Sequence, residues 1–217
     1  MADTRFTKYI YIIGAGGLGR ELNGFIKTSN SNINVQGFID DELDALRNFS
    51  TLQSQDKVFG EISLRTLSKA KSIIIAITNS DLKKRIFNWQ EETKAFEILS
   101  YIHPKVTLGS DILLNTGVVI LPNALISSHS TIGNGCFINC GSQIGHDVKI
   151  GNYVNIMASV NIGGEAKIGD NVFIGTGAIV FPRISITDNV RIGAGTVVMR
   201  SIKKPGTYMG NPAKRIF

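Results

Sequence analysis

The sequence predicts two domains, a Rossmann-like α/β half domain followed by an all-β parallel β-helix. A glycine-rich loop between an apolar strand and a helix indicates the first domain, and an aliphatic residue at every sixth position indicates the second. A hydrophobic content of 43% with 18% charged residues is typical of a folded globular protein. We expect the boundary close to where the repeat begins, which divides the chain into residues 1–97 and 98–217.

The repeat consists of seventeen positions spaced six residues apart without interruption, and all of them are Ile, Leu or Val. They are Ile102, Leu108, Leu114, Ile120, Ile126, Ile132, Ile138, Ile144, Ile150, Ile156, Ile162, Ile168, Ile174, Val180, Ile186, Ile192 and Val198. A period of six matches neither an α-helix nor plain strand alternation, so each hexad is expected to be a short strand closed by a turn. Glycine and asparagine are expected to supply positive φ angles at these turns. Strands of this kind bury their aliphatic side chains only when they are wound into a solenoid.

The N-terminal region contains the elements of a nucleotide-binding site. Residues 9–13 form an apolar run, residues 14–19 have the pattern G-x-G-x-x-G, and residues 20–27 are compatible with a helix. A second predicted strand, residues 35–39, is followed by two acidic residues, and a third, residues 72–77, is followed by polar ones. Ligands bind at the carboxyl ends of such strands. The predicted substrate-binding residues are Gly14, Ala15, Gly16, Asp40, Asp41 and Asn79.

About 97 residues precede the repeat, which is enough for one mononucleotide-binding half and too few for a complete dinucleotide domain. The net charge of +6 lies mostly in the C-terminal half, and the chain has no Lys/Arg-dense stretch typical of nucleic-acid binding. Small polyanions therefore suit the charge better. Without a leader-like or membrane-spanning apolar run, and with only Cys136 and Cys140, we expect a cytoplasmic protein with no metal site.

Five segments resemble the bacterial nucleotide-amino-sugar N-acetyltransferases and sialic acid O-acetyltransferases, which are left-handed β-helix, hexapeptide-repeat acyltransferases. The segments are the loop at residues 14–19, Phe38-Ile39-Asp40-Asp41, Ile102-His103-Pro104, Gly145-His146-Asp147 and Gly210-Asn211-Pro212-Ala213-Lys214. The resemblance implies that three hexads form one triangular coil of 18 residues, so that the repeat makes five to six left-handed coils. It also implies a homotrimer with acetyl-coenzyme A (acetyl-CoA) bound between subunits. Leu18 departs from the family, because many relatives have His there.

His146 is the predicted catalytic base. The chain has three histidines, His103, His129 and His146, and His146 lies at a turn edge with Gly164 18 residues later, where the next coil would place it above the imidazole. The resemblance implies that His146 is the general base and that Gly164 contacts the acetyl group. Asp147 is a candidate to orient the base. By the same resemblance Asn139 lies near the reaction centre, and Asn155, Thr176 and Ala194 contact the coenzyme.

The resemblance thus predicts an acetyl-CoA-dependent N-acetyltransferase of a nucleotide-linked amino sugar, such as a UDP-, dTDP- or GDP-4-amino-4,6-dideoxyhexose, in surface-glycan biosynthesis. O-acetylation of sialic acid or a related sugar is the alternative that the same scaffold supports. The glycine loop by itself would also suit an NAD-dependent oxidoreductase, and a solenoid can act as a non-catalytic binding surface. Dependence on a nucleotide sugar separates the N- from the O-acetyltransferase, and an absorbance change with NAD(H) would reveal an oxidoreductase. A non-catalytic scaffold would bind no coenzyme A (CoA) and would lose nothing when His146 is replaced.

Overall fold

The computed structural model describes residues 7–29, 31–46 and 57–216. The chain divides into two compact units, Met1–Ser100 and Tyr101–Phe217. Each unit has its own hydrophobic core.

The N-terminal unit is a five-stranded parallel sheet with helices between its strands. Its elements in chain order are β1 (Lys8–Ile13), α1 (Gly17–Thr28), β2 (Ile33–Ile39), β3 (Val58–Gly60), α2 (Leu64–Ala70), β4 (Ser72–Ile75), α3 (Ser80–Thr93) and β5 (Glu97–Ile98). The strand order is β3-β2-β1-β4-β5. From β1 the chain adds β2 and then β3 on one side of the sheet, and it then crosses to the other side of β1 to add β4 and β5. The direction in which strands are added therefore reverses between β1 and β4. Open α/β sheets bind ligands at this point.

The three predicted strands and the predicted helix are present with somewhat different ends. The third strand, predicted at residues 72–77, ends at Ile75. Ala76 donates its N–H to the carbonyl oxygen of Ile13 in β1, and the chain then turns into α3. The sequence analysis did not identify β3, α2, α3 or β5.

The C-terminal unit is a triangular prism whose walls are three parallel sheets. The eight-stranded face contains β6 (Tyr101–Ile102), β9 (Val119–Ile120), β12 (Phe137–Ile138), β15 (Asn155–Ile156), β18 (Phe173–Ile174), β21 (Val190–Ile192), β23 (Gly206–Met209) and the antiparallel β24 (Lys214–Arg215). The six-stranded face contains β7 (Thr107–Leu108), β10 (Leu125–Ile126), β13 (Gln143–Ile144), β16 (Asn161–Ile162), β19 (Ile179–Val180) and β22 (Val197–Val198). The five-stranded face contains β8 (Leu113–Leu114), β11 (Thr131–Ile132), β14 (Lys149–Ile150), β17 (Lys167–Ile168) and β20 (Ser185–Ile186).

Each hexad contributes one short strand to one face, and each strand pairs with the strand 18 residues away, as Ile126 does with Ile144. From the second coil onward the repeated aliphatic residues are buried inside the prism together with the small residues that precede them by two positions, for example Val148 and Ala166. The predicted solenoid is therefore confirmed. Its core forms because every strand sends its aliphatic residue toward the same axis.

Positive φ angles occur at every sixth residue from Asp111 to Gly195. Ten of these fifteen residues are not glycine, and they include Tyr153, Glu165 and Arg183. Glycine and asparagine together occupy eight of the fifteen positions, as expected, and other residue types occupy the remaining seven. The glycines directly after the aliphatic residues instead serve close packing, since a Cβ at Gly145 would lie 2.6 Å from the Gly164 nitrogen of the next coil.

Candidate active site

His146 and Asp147 form a hydrogen-bonded pair in the turn after β13. His146 Nδ1 lies 2.7 Å from Asp147 Oδ2, and the two side chains are 61% and 53% exposed. An ionised carboxylate only accepts hydrogen bonds, so Nδ1 carries the proton and Nε2 is the basic nitrogen of the neutral ring. The φ of +58° at Asp147 belongs to the left-handed region, in which the two adjacent side chains come together. The geometry supports Asp147 as the residue that orients His146.

Gly164 lies against the imidazole ring, as the 18-residue spacing predicts. A Cβ at this position would be 2.6 Å from His146 Nε2, which is closer than real Cβ contacts. The coils are joined here by a hydrogen bond of 2.8 Å from the Glu165 N–H to the His146 carbonyl oxygen. Only glycine leaves the basic nitrogen uncovered on this side.

The Gly164 N–H donates no hydrogen bond to any residue that the structure describes, although its carbonyl oxygen accepts the Arg183 N–H at 2.9 Å. At the equivalent positions on another edge of the prism, Asn134 and Asn152 donate their N–H groups to side-chain oxygens of the next coil, at 2.9 and 2.7 Å. The residue 18 positions after Gly164 is Pro182, which has no side-chain oxygen. An N–H group without an acceptor beside a basic nitrogen is suited to an oxygen atom of a reactant.

A groove of about 500 Å³ extends from His146 across the six-stranded face. Most of its lining is apolar and includes Leu125, Ile179 and Phe181, which are 39–41% exposed. Gln143 and Asn161 provide polar groups on the same face. The groove therefore offers an apolar wall beside a basic nitrogen.

The other residues predicted near the reaction centre or the coenzyme lie elsewhere on the prism. Asn139, Thr176 and Ala194 are in turns between the eight- and six-stranded faces, which we call the Thr176 edge. His146 and Gly164 are in turns between the six- and five-stranded faces, which we call the His146 edge. Thr176 and Ala194 stack as predicted, because the Gly195 N–H donates to the Thr176 carbonyl oxygen at 2.8 Å. A single chain thus separates the two groups of residues by the width of one face.

Asn139 and Asn155 use their amide groups within the chain. Asn139 Oδ1 accepts the N–H of Cys140 at 2.6 Å, whereas Asn155 is 1% exposed and its Nδ2 donates to the Tyr153 carbonyl oxygen at 3.3 Å. A buried side chain cannot contact a coenzyme directly, so the prediction for Asn155 finds no support in this geometry.

The N-terminal unit places the glycine loop at the carboxyl ends of β1 and β4. Gly14 has a φ of +99°, and a Cβ there would lie 2.8 Å from the Ala76 carbonyl oxygen. Gly16 and Gly17, by contrast, have open space where a Cβ would be. Helix α1 begins at Gly17 with no side-chain cap and no acidic residue in its first turn. Open backbone N–H groups at a helix N-terminus suit a phosphate.

The predicted acidic residues shape this edge of the sheet. Asp40 Oδ2 accepts the Ala15 N–H at 2.7 Å, and Asp41 Oδ1 accepts the Ile62 N–H at 2.8 Å. Asn79 caps α3 by accepting the Leu82 N–H at 3.0 Å. Arg20, which the sequence analysis did not select, donates from Nη1 to the Ala15 carbonyl oxygen at 2.8 Å. The sequence signal that could have identified Arg20 is its position one turn into the helix that follows the glycine loop.

The other two histidines lie outside these clusters. His129 Nδ1 is 3.8 Å from Asp111 Oδ2 of the preceding coil. His103 is buried, and its Nδ1 accepts the Lys105 N–H at 3.1 Å. Burial lowers the pKa of His103, and the nearby charge of Lys105 lowers it further. His146 remains the histidine with both a carboxylate partner and a groove.

Residues 7–29, 31–46 and 57–216 contain neither a metal-binding cluster nor a helix that could span a membrane. No group of three or more His, Cys, Asp or Glu residues there could hold a metal ion. No helix in this part of the chain is long and apolar enough to cross a membrane.

Two protein-family profiles match the sequence. The N-terminal domain of PglD matches residues 9–90, and the hexapeptide repeat of bacterial transferases matches residues 129–164 and 165–200. The chain therefore combines a PglD-type N-terminal domain with the hexapeptide repeats of a bacterial transferase. No curated protein sequence matches this transferase significantly.

Solved structures resemble the transferase over nearly its whole length. PerB from Caulobacter crescentus, solved with CoA and GDP-perosamine, has a TM-score of 0.83 and 24% identity, covering 96% of this chain and 97% of that chain. The acetyltransferase domain of PglB from Neisseria gonorrhoeae has a TM-score of 0.79 and 26% identity, covering 96% of this chain and 100% of that chain. WeeI from Acinetobacter baumannii has a TM-score of 0.64 and 24% identity, covering 96% and 100%. These matches confirm the predicted fold class, a Rossmann-like domain followed by a left-handed β-helix.

Proposed function

We propose that this transferase moves the acetyl group of acetyl-CoA to the amino group of a nucleotide-linked amino sugar, with His146 as the general base. The observation that carries the proposal is the His146–Asp147 pair with Gly164 against its basic nitrogen. Among the structural neighbours, PglB has been solved with acetyl-CoA, and PerB with CoA and GDP-perosamine. Their reactants are of the kinds that the groove and the glycine loop suit.

The reaction is a direct transfer. The neutral sugar amine attacks the thioester carbonyl carbon and forms a C–N bond, while His146 Nε2 accepts the proton that the amine loses. Asp147 accepts the Nδ1–H and stabilises the imidazolium ion. The Gly164 N–H donates to the oxyanion. Collapse of the tetrahedral intermediate breaks the C–S bond, and the CoA thiolate takes the proton from His146, which leaves an acetamido sugar and free CoA.

The N-terminal unit supplies the nucleotide site in this proposal. The backbone N–H groups of Gly16 and Gly17 receive the diphosphate, because α1 has no side-chain cap and nothing lies within 4 Å of a Cβ position at either glycine. Asp40 holds the loop in shape through Ala15. Arg20 adds a positive charge one turn into the helix. In this proposal the N-terminal domain binds the nucleotide part of the acceptor, which explains why it is joined to an acetyltransferase prism.

The coenzyme is proposed to run along the His146 edge. Arg200 lies three coils from His146 on this edge, or about 14 Å at the usual spacing of strands. That separation suits the pantetheine arm between the thioester and the phosphates. Arg200, Lys203, Lys204 and Lys214 line a groove of about 450 Å³, and no carboxylate is among its lining residues. These cations would bind the phosphates.

A homotrimer completes the site in this proposal. The Thr176 edge and the His146 edge are separate in one chain, so the coenzyme contacts both groups of residues only if edges of neighbouring subunits meet. The exposed apolar residues Leu125, Ile179 and Phe181 on the six-stranded face suit burial against another subunit. We also place the enzyme in the cytoplasm, where acetyl-CoA and nucleotide sugars are available for surface-glycan synthesis.

The test is to incubate the purified protein with acetyl-CoA and UDP-, dTDP- and GDP-linked amino sugars, with sialic acid as the parallel acceptor. Thiol release and a mass gain of one acetyl group on a nucleotide amino sugar are expected. His146→Ala should lower kcat at least ~100-fold while acetyl-CoA still binds. Acetylation of sialic acid alone, or near-normal turnover by His146→Ala, would overturn the acceptor or the base assignment respectively.

A further inference from the structure

A second groove in the N-terminal unit lies at the carboxyl ends of β2 and β3. It has a volume of about 470 Å³ and is lined by Asp41, Leu43, Gly60, Glu61, Ser63, Arg65, Thr66 and Lys69. We call it the β3 groove. It combines two carboxylates, cationic side chains and the exposed apolar side chain of Leu43, which is 62% exposed. The groove therefore offers hydrogen-bond acceptors, donors and an apolar surface for a planar ligand.

The end of β2 links the β3 groove to the glycine loop through two adjacent residues. Asp40 contacts the loop at Ala15, and the next residue, Asp41, contacts the β3 end at Ile62. Strand β3 is two strands from β1 in the sheet, or about 10 Å. A nucleoside diphosphate with its phosphates at Gly16 and Gly17 would reach this distance with its ribose beside Asp40 and its base in the groove.

The polar groups of the groove differ in what they have left to offer a ligand. One oxygen of Asp41 already accepts the Ile62 N–H. Neither the Glu61 nor the Arg65 side chain makes a hydrogen bond or ion pair with any residue in the described ranges, and both are exposed. Glu61 therefore has two carboxylate oxygens, and Arg65 a complete guanidinium fork, for a base.

Of the common bases, guanine matches this pair best. Its N1–H and N2 amino group are adjacent donors that suit both oxygens of one carboxylate, and its O6 and N7 are acceptors that suit a guanidinium fork. Uracil and thymine each have one ring N–H with a carbonyl oxygen on either side. A carboxylate that accepts from this N–H would be repelled by the two carbonyl oxygens. Adenine presents an acceptor, N1, beside its amino group. Only guanine satisfies both oxygens of Glu61.

We infer that the β3 groove selects guanine, with Glu61 accepting from N1–H and N2 and Arg65 donating to O6 and N7. The acceptor of the transferase is then a GDP-linked amino sugar. This inference rests on the proposed function, because it takes the glycine loop as the diphosphate site. It adds the specificity for the base.

Binding of free nucleotides to the full chain isolates the contact with the 2-amino group. Isothermal titration with GDP, IDP, UDP and dTDP compares bases on one diphosphate, and IDP differs from GDP only by lacking the 2-amino group. GDP is expected to bind roughly tenfold more tightly than IDP, and tighter still relative to UDP and dTDP. Equal binding of GDP and IDP, or tighter binding of UDP or dTDP, would overturn the inference.

Two matched variants assign the effect to the groove. Glu61→Ala should abolish the preference for GDP over IDP, whereas Glu42→Ala removes a carboxylate outside the groove lining and should keep it. A GDP preference that survives in Glu61→Ala rejects the role of Glu61. Acetyl transfer to a UDP- or dTDP-linked sugar that GDP does not inhibit would reject the guanine assignment and leave the proposed reaction standing. Binding of acetyl-CoA but of no nucleotide would overturn both.

Discussion

Replacing Gly164 by alanine should impair catalysis far more than folding. The new Cβ would lie 2.6 Å from His146 Nε2, 2.8 Å from Cε1 and 2.9 Å from Cδ2. Ordinary contacts begin at 3.4 Å, so the ring must move by about 0.8 Å from its place beside the groove. A shift of roughly 1 Å in a catalytic group lowers rates by about 100-fold. All three contacts involve the end of one exposed side chain, so the fold can accommodate the methyl group.

The assay is steady-state thiol release with acetyl-CoA and the acceptor found above. We expect kcat to fall about 100-fold in Gly164→Ala, with a change in Tm of no more than about 4 °C. In a His146→Ala background the same change should have little further effect, because both substitutions remove the same base. Gly24→Ala is the control, since a Cβ at Gly24 contacts nothing. A kcat within a few-fold of the parent would refute the placement of Gly164 against the catalytic nitrogen.

Three further predictions follow from single contacts. Asp147→Asn keeps a residue that tolerates positive φ but removes the carboxylate, so kcat should fall about tenfold because the imidazolium loses a charge-assisted hydrogen bond; an unchanged kcat would contradict an orienting role. Asp40→Ala leaves the Ala15 N–H without its acceptor, so the KM for the nucleotide acceptor should rise while that for acetyl-CoA stays constant; equal effects on both would contradict a separate nucleotide site. Burial lowers the pKa of His103 below its ordinary value of 6.5. The free energy of unfolding should therefore be largest above pH 6.5 and decrease as the pH falls below it, because the unfolded chain binds the extra proton. Denaturant titration between pH 7.5 and 5 measures this slope, and a slope that is the same in His103→Asn would contradict it.

The solenoid was predictable because a repeat of six repeats one physical constraint seventeen times. Each aliphatic residue must reach the common axis, so the position of Ile144 also determines those of Ile126 and Ile162. With the 18-residue coil that the family resemblance implies, the same spacing predicted that Gly164 lies against His146. In the N-terminal unit no repeat exists, and the short β3 and β5 gave no periodic signal. The strand–loop–helix motif around residues 14–19 was identifiable, whereas α2 and α3 were missed.

The sequence by itself determined the solenoid, because the aliphatic repeat depends only on residue type and spacing along the chain. Through the family resemblance it also predicted the triangular coil and His146 as the candidate base. Only the tertiary structure decided which groups are still available to reactants. Asp147 is hydrogen-bonded to His146, and the Gly164 N–H has no acceptor among the residues that the structure describes. Asn155 is buried and cannot contact a reactant, and one oxygen of Asp40 already accepts the Ala15 N–H of the glycine loop. Hydrogen-bond partners and exposure depend on what the folded chain brings alongside a residue, and spacing in the sequence does not specify this.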